Sequence, residues 1–395
     1  MLQIAKSTDR LDNYRLKISE KEFVPIIQGG MGVDISTSEL ALQIADLGGI
    51  GTISDAMIQT VSDKYYATSY TRKKRNTYIL NTNKKEKKIV KFDLNDLYEA
   101  QSNHIRKTMR NKSGTGDIFV NIMEKLTMNN SMQTLRIRLN AALDSGIDGI
   151  TLSAGLHLNS FKLMQGNIRF HKAKIGIITS SVRALSLFLR KSKKSKRLPD
   201  FIIVEGPLAG GHLGFGSDWK KYNLMTLITE IKTFLTEKKM TIPLIAAGGV
   251  FTGSEGITFI KNGAEGVQVA TRFTVTKECG LPNSVKQKYF ESEKEDIVVN
   301  NISPTGYLMR MLKSSPAIGS SIKPNCESFG YILDDNGRCS YVDEYFEHLA
   351  NSKYMNSFSK MKKTCLCSNM LSFKIWTCGQ TTYKLKDTSI KDKNG

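Results

Sequence analysis

The chain has 395 residues, enough for one large domain of about 250–300 residues with additions, or for two or three ordinary ones. Its 40% apolar and 24% charged residues, with 31 glycines against 8 prolines, exclude a disordered, collagen-like or disulfide-scaffold protein. A net charge of +20 raises the question of an anionic partner, nucleic acid included.

The N-terminal residues MLQIAKSTDRLDNYRLKISEKEF lack the apolar stretch of a secretory leader. The longest apolar runs, such as Phe201 to Val204, are strand-sized and far short of the ~20 residues of a membrane span. A cytoplasmic protein is expected. VPIIQGG (24–30) reads as the first strand. The spacing Ser36-x-x-Glu39 predicts a capping box, with Leu40, Ile44 and Leu47 on one helical face and Gly48 ending the helix. IGTIS (50–54) is the second strand.

Residues 55–116 have little periodicity and are too long for one crossover helix, so they read as a helix-containing excursion with a mobile, basic middle. Within it, residues 72–91 carry nine Lys and Arg against one Glu, and residues 190–197 carry a further six without an acid. Half or more of the excess charge thus sits in two short runs, which predicts solvated loops and helix ends on a mildly basic body. Neither run has a recognition-helix or aromatic-stacking pattern, so nucleic-acid binding by a non-catalytic barrel is the remotest reading.

Order returns at DIFVNIM (117–123), a helix over 131–145 and GITLS (149–153). KIGIIT (174–179), a helix over 181–191 and FIIVE (201–205) follow, then a glycine-rich loop and a helix over 222–238. PLIAAGG (243–249), a helix over 254–262 capped by Thr252 and Glu255, and GVQVATRF (266–273) complete eight strands. Parallel β–α alternation allows an open doubly wound sheet or a closed barrel. Eight units with glycines at several strand ends predict the (β/α)8 TIM barrel, with residues 1–275 as the barrel and 276–395 as a helical lid and tail. All six cysteines lie in the last third, and Cys365-x-Cys367 with Cys378 lacks metal-site spacing and a nearby histidine, so no metal is expected.

A barrel places its chemistry where the strands end, with phosphate bound after strands seven and eight. There the sequence has Gly248-Gly249 leading into a capped helix, and Ala270-Thr271-Arg272. Glycines let backbone N–H groups approach a phosphate closely, and a helix N-terminus favours the anion. The loop after strand six, Glu205-Gly206-Pro207-Leu208-Ala209-Gly210-Gly211-His212-Leu213-Gly214-Phe215-Gly216, is flat enough to pack against a planar ring. His212 stands in its middle with a side chain suited to proton transfer or to polarising an oxygen. His104, His157, His171 and His348 have no comparable setting.

Five motifs in order then resemble one family: Pro25-Ile26-Ile27-Gln28-Gly29-Gly30-Met31-Gly32, VNIM (120–123), EGPLAGGHLGF (205–215), PLIAAGGVFTG (243–253) and GVQVATRF (266–273). They are similar to the nitronate monooxygenases, formerly 2-nitropropane dioxygenases, whose superfamily includes flavin-dependent enoyl-ACP reductases. The resemblance covers about residues 24–275 and continues through Ser303-Pro304-Thr305-Gly306. It implies FMN at the C-terminal face of the barrel. Gly30, Met31 and Gly32 would lie along the isoalloxazine and Asn121 would bond its polar edge. Glu205, Ala209, Gly210 and Gly211 would line the ring and ribityl region, and Gly248, Gly249, Ala270 and Thr271 would hold the phosphate. His212 matches the family's active-site histidine. The implied reaction is oxidation of an alkyl nitronate by O2 to a carbonyl compound and nitrite. The second reading is NAD(P)H-dependent enoyl reduction, in which the basic runs dock an acyl carrier protein. The excursion 55–116 is longer and more basic than the family pattern, and the cysteine-bearing tail matches it loosely.

Overall fold

A computed structural model describes residues 13–124, 130–330, 338–352 and 361–387. Eight parallel strands close into a barrel: β1 (Ile26–Gln28), β2 (Ile50–Ser54), β3 (Asp117–Met123), β4 (Gly149–Ser153), β5 (Lys174–Thr179), β6 (Phe201–Glu205), β7 (Leu244–Ala247) and β8 (Gly266–Val269). Closure is made by β8 on β1, with Gln28 opposite Val269, while Ile27 pairs with Ile50 on the other side. Each expected strand is present. The last is shorter than its apolar run, because Thr271–Val275 turns into a 3-10 helix at the barrel mouth.

The strands are rich in β-branched residues, and β2, β3 and β4 are buried along their whole length, as parallel strands covered on both faces are. Inward-facing Ile27, Ile50, Phe119, Phe201, Ile203 and Ile245 fill the barrel, and Phe119 and Phe201 stack at 5.5 Å. An antiparallel hairpin of Leu16–Ile18 and Lys21–Phe23 plugs the N-terminal end, adding Leu16, Ile18 and Phe23 to this core. Burying one such side chain is worth roughly 1.5–3 kcal/mol. The plug closes the bottom and leaves the C-terminal face as the open end.

Three local readings need correction. The first helix, Ser38–Asp46, is capped by Thr37, whose hydroxyl accepts from Leu40 N, and not by Ser36. Ser36 is turned inward, where it organises the loop after β1. Leu47 lies just past the last helical residue and is 78% exposed, so the apolar face consists of Leu40, Ala41 and Ile44.

The third correction is larger. The excursion folds into helices Ile58–Tyr66, Tyr70–Tyr78 and Leu94–Arg110, the last capped by Asp93 and burying Leu97, Ala100, Gln101, His104, Ile105 and Thr108 at helical spacing. Its basic residues are mostly exposed, as expected, but Lys74 and Lys87 are buried. Lys87 pairs with the equally buried Glu327 at 2.9 Å, and Lys74 Nζ donates to the Cys326 carbonyl at 2.6 Å. Burial pushes the Lys74 ammonium down to about 8. The excursion is therefore fastened to the chain beyond the barrel. The two share an apolar cluster that includes Ala56, Val61, Leu97, Met309, Cys326, Cys339, Cys365 and Cys367.

Beyond the barrel the chain is not wholly helical. Strands Ile297–Asn300 and Met309–Leu312 form an antiparallel sheet with the short strand Gly211–His212 from the loop after β6. Helices Ser340–Ser352 and Leu366–Leu371 follow. Among the described residues no helix is long and apolar enough to cross a membrane. Nor does any group of three or more His, Cys, Asp or Glu there converge as a metal site.

Candidate active site

The site is built from strand ends. Gln28, wholly buried at the end of β1, accepts from Thr52 N at 2.9 Å and donates to Ser36 Oγ at 3.2 Å. Ser36 Oγ accepts from Met31 N at 2.8 Å. This relay holds Gly30-Met31-Gly32 across the mouth of the barrel. Asn121, 4% exposed, comes up from β3.

The loop after β6 carries the titratable groups. His212 is paired with Met309 in the three-stranded sheet, so it is not a free loop side chain. Its Nε2 lies 2.7 Å from Ser303 Oγ, which is 2.7 Å from Thr305 Oγ1 and accepts from Thr305 N at 3.2 Å. Loss of solvation pushes the imidazole down to about 4. It is neutral near pH 7, which suits it to polarising an oxygen more than to taking a proton. Glu205, at the end of β6, behaves oppositely: burial raises its carboxyl to about 7, offset in part by the Gly214 N–H and the nearby Arg310 charge. Arg310 is wholly buried, donates from Nη1 to the Ala209 carbonyl and packs 4.6 Å over the Trp219 ring. Its Nε and Nη2 have no partner among the described residues.

A cavity of about 540 Å³ opens at this end of the barrel. Gly30, Met31, Gly32, Asn121, Glu205, Gly210, Gly211, His212, Ala270 and Thr271 all line it. Ala209, Gly248 and Gly249 do not. Gly248 and Gly249 face a second cavity of about 430 Å³ beside Leu208 and Trp219. The reason is steric. Both glycines have left-handed backbone (φ +89° and +101°), and the loop 206–209 folds down onto them. A Cβ on Gly248 would meet Gly206 O at 2.9 Å, and one on Gly249 would meet Leu208 Cβ at 3.1 Å. The expected phosphate cradle is thereby split between two spaces, with Ala270 and Thr271 on the main one. There, Thr271 is joined by Thr274, Gly379 and Thr382.

Several site residues were not legible in the sequence. Ser303 lies in a segment whose resemblance was noted without a role. Tyr307, Met309 and the tail residues Leu366, Met370, Phe373 and Ile375 gave no signal, because only the tertiary fold brings them to the cavity, and Arg310 is seen only through its bond to the Ala209 carbonyl. Two of the other histidines have structural partners. His104 bonds Tyr66 Oη at 2.9 Å, and His157 sits between Ser160 Oγ at 2.8 Å and the Ser153 carbonyl at 2.7 Å. Neither they nor His171 and His348 line the cavity.

A closed parallel barrel with titratable groups and glycine-rich turns gathered at its C-terminal face defines the class of α/β-barrel enzymes. A family model for nitronate monooxygenase matches residues 15–315, and the chain belongs to that oxidoreductase family. It is 26% identical over 285 residues to a probable nitronate monooxygenase of Staphylococcus saprophyticus, covering 70% of this chain and 72% of that protein. Its fold is similar to that of FabK from Thermotoga maritima (TM-score 0.54, 19% identity, covering 96% and 90% of the two chains). It is also similar to nitroalkane oxidase from Streptomyces ansochromogenes (TM-score 0.53, 16% identity, 91% and 90%).

Proposed function

We propose that the protein oxidises alkyl nitronates with O2, giving a carbonyl compound and nitrite, with FMN bound in the main cavity. The lining fits that cofactor: Gly30, Gly32, Gly210 and Gly211 leave room for a planar ring, Asn121 offers a polar edge, and the Thr271 hydroxyl is a donor for the phosphate, while those of Thr274 and Thr382 are already given to the Thr271 and Gly379 carbonyls. FMN would supply the redox step, taking one electron from the nitronate and passing one to O2. The protein's own residues bind and orient.

The observation that carries this reading is the state of His212. Held neutral by burial and tied through Nε2 to Ser303, it offers the substrate its other ring nitrogen, Nδ1. A neutral imidazole bonds a nitro oxygen but is a poor base for removing the α-proton of a neutral nitroalkane. A nitronate arrives with that proton already gone. Glu205, poised near 7 in the same cavity, is the group whose charge changes around neutrality. The exposed lysines and arginines of residues 72–91 keep the enoyl reductase reading in play, since an acidic carrier protein would meet complementary charge there.

The test is aerobic turnover of purified protein with an alkyl nitronate, run beside anaerobic mixing with NADH or NADPH. Nitronate-dependent O2 uptake and nitrite release without a nicotinamide are expected. Rapid nicotinamide-dependent bleaching of flavin with no nitronate activity would replace this reading with the reductase.

A further inference from the structure

The basic excursion has an outer face that the reaction does not use. No residue of 72–91 lines either of the two cavities. The segment is nevertheless built rather than loose. Lys74 and Lys87 are drawn inward onto the Cys326 carbonyl and Glu327, and Asn81 and Val90 are buried as well. Between these anchors the chain turns tightly. Ile79–Asn81 is a 3-10 helix, Thr82 N donates to the Ile79 carbonyl at 3.1 Å and Lys84 N to that of Asn81 at 3.0 Å. From beyond the barrel, Lys323 Nζ donates to Asn83 Oδ1 at 2.6 Å.

What this turn presents is not charge alone. Leu80 is 84% exposed, Ile79 51% and Ile89 56%. Exposed cations flank them in the sequence, and of these Arg72, Arg75, Lys84 and Lys91 pair with no carboxylate among the described residues. Lys85 and Lys88 have exposed acids at 3.3 and 3.8 Å, where a pair is worth little. The other basic run, 190–197, has five exposed cations and contains no apolar residue. One run is therefore purely basic, and the other interleaves cations with protruding aliphatic side chains.

That combination selects among anionic partners. Single-stranded nucleic acid is held by cations together with aromatic rings on which bases stack. The one aromatic residue of the run, Tyr78, is half-buried, with Lys74 Nζ 5.9 Å from its ring. A protein partner takes an apolar patch at the centre with charge at the rim. Here separate aliphatic tips stand between cations instead. A surface of acidic lipids meets both features. Its phosphates take the cations, whose long stems let the charge stay at headgroup level, and a protruding Leu or Ile enters the boundary with the acyl chains.

We propose that residues 72–91 form a peripheral docking face for an anionic lipid bilayer, with Ile79 and Leu80 entering the headgroup layer and Arg72, Arg75 and Lys84 set among the lipid phosphates. The face rests on no part of the proposed reaction and stands or falls apart from it.

The test is co-sedimentation of the full-length flavin-loaded protein with sucrose-filled vesicles, made of phosphatidylcholine alone or of a three-to-one mixture with phosphatidylglycerol. Binding to the mixture and not to phosphatidylcholine is expected, and it should fall away in about 1 M salt, where the screening length is about 3 Å. The triple variant Arg72→Gln, Arg75→Gln, Lys84→Gln should weaken the partition coefficient about 100-fold, at about fivefold per cation. The double variant Ile79→Ser, Leu80→Ser should weaken it about tenfold or more. Both sets of side chains are exposed, so bound flavin and melting temperature should stay at parent values. Lys191→Gln, Lys193→Gln, Lys194→Gln removes the same charge from the other run and should leave the coefficient within about twofold of the parent in about 0.1 M salt. No binding to acidic vesicles, or equal losses from the two triple variants, would overturn the proposal. So would parent-like binding by the Ile79 and Leu80 variant beside a loss in the Arg72, Arg75 and Lys84 variant, since that describes a charge-only surface of the kind an acidic protein takes.

Discussion

Lys87 and Glu327 are 0% and 1% exposed and 2.9 Å apart, one in the basic excursion and the other beyond the barrel. At an effective dielectric of 20 their attraction is about 6 kcal/mol, set against several kcal/mol to desolvate each ion. The intact pair is therefore worth little net, while half of it is expensive. Lys87 Nζ has one further acceptor, the Pro324 carbonyl at 3.5 Å, and Glu327 Oε2 has no partner among the described residues. Lys87→Met should then strand a carboxylate and cost about 3–5 kcal/mol. Glu327→Leu should strand an ammonium at similar cost. The double variant should recover most of the loss, because two apolar side chains of similar volume replace both charges. Chemical denaturation of the four proteins gives the coupling energy directly. Single variants within about 1 kcal/mol of the parent, or a double variant no better than the worse single, would refute the buried pairing and return residues 72–91 to the status of a solvated run.

Replacing six of the exposed members, Arg72, Arg75, Lys84, Lys85, Lys88 and Lys91, by Gln should change stability by under ~0.5 kcal/mol each and leave flavin content unchanged; loss of flavin measured after heat release would show that these residues reach the site. His212→Asn should retain its fold and lower turnover of the preformed nitronate by roughly 2- to 10-fold, the worth of one hydrogen bond to a nitro oxygen, with the neutral nitroalkane a poor substrate of both proteins; parent-like rates on the nitronate would remove His212 from the reaction. Glu205 binds its proton more tightly folded (about 7) than a free carboxyl does, so the stability it contributes is complete below about pH 4.5 and is lost as pH rises through 7. Glu205→Gln should therefore flatten the decline in melting temperature between pH 5 and 8, and a parent-like decline in the variant would place its titration elsewhere. His212 has the opposite sign: its folded value of about 4 lies below that of free histidine, so its contribution is lost as pH falls from about 6.5 through 4. In parent protein the two trends oppose each other below pH 6.5, which is why the Glu205 variant is the cleaner measurement.

The barrel was legible because its signals are local. Runs such as FIIVE and KIGIIT have the length and β-branching of buried parallel strands, and Thr252 with Glu255 forms the expected capping box. The same held for Glu205, His212 and Thr271 at strand ends, whereas Gly30 and Asn121 were implied only by the family resemblance; all five line one cavity. Local signals say nothing about what a loop folds onto. That Leu208 covers Gly249, that Ser303 bonds His212, and that Lys87 is buried rather than solvated are consequences of packing between segments far apart in the chain. Composition misleads in the last case, since a lysine in a run of lysines carries no mark of the one acid waiting for it.

The hairpin plug and the β8–β1 seam also bear on how the protein is made. Leu16, Ile18 and Ile27 leave the ribosome early, but Gly266, whose Cα lies against Leu16, and Val269, which pairs with Gln28, leave it last among the barrel residues. At 5–20 residues per second the interval is roughly 10–50 s. Throughout it the nascent chain holds an unpaired first strand and an exposed apolar hairpin, both prone to association with other chains. Contacts of such long sequence separation also form slowly. Expression yield should thus depend on translation speed and chaperone supply more than on the stability of the finished barrel.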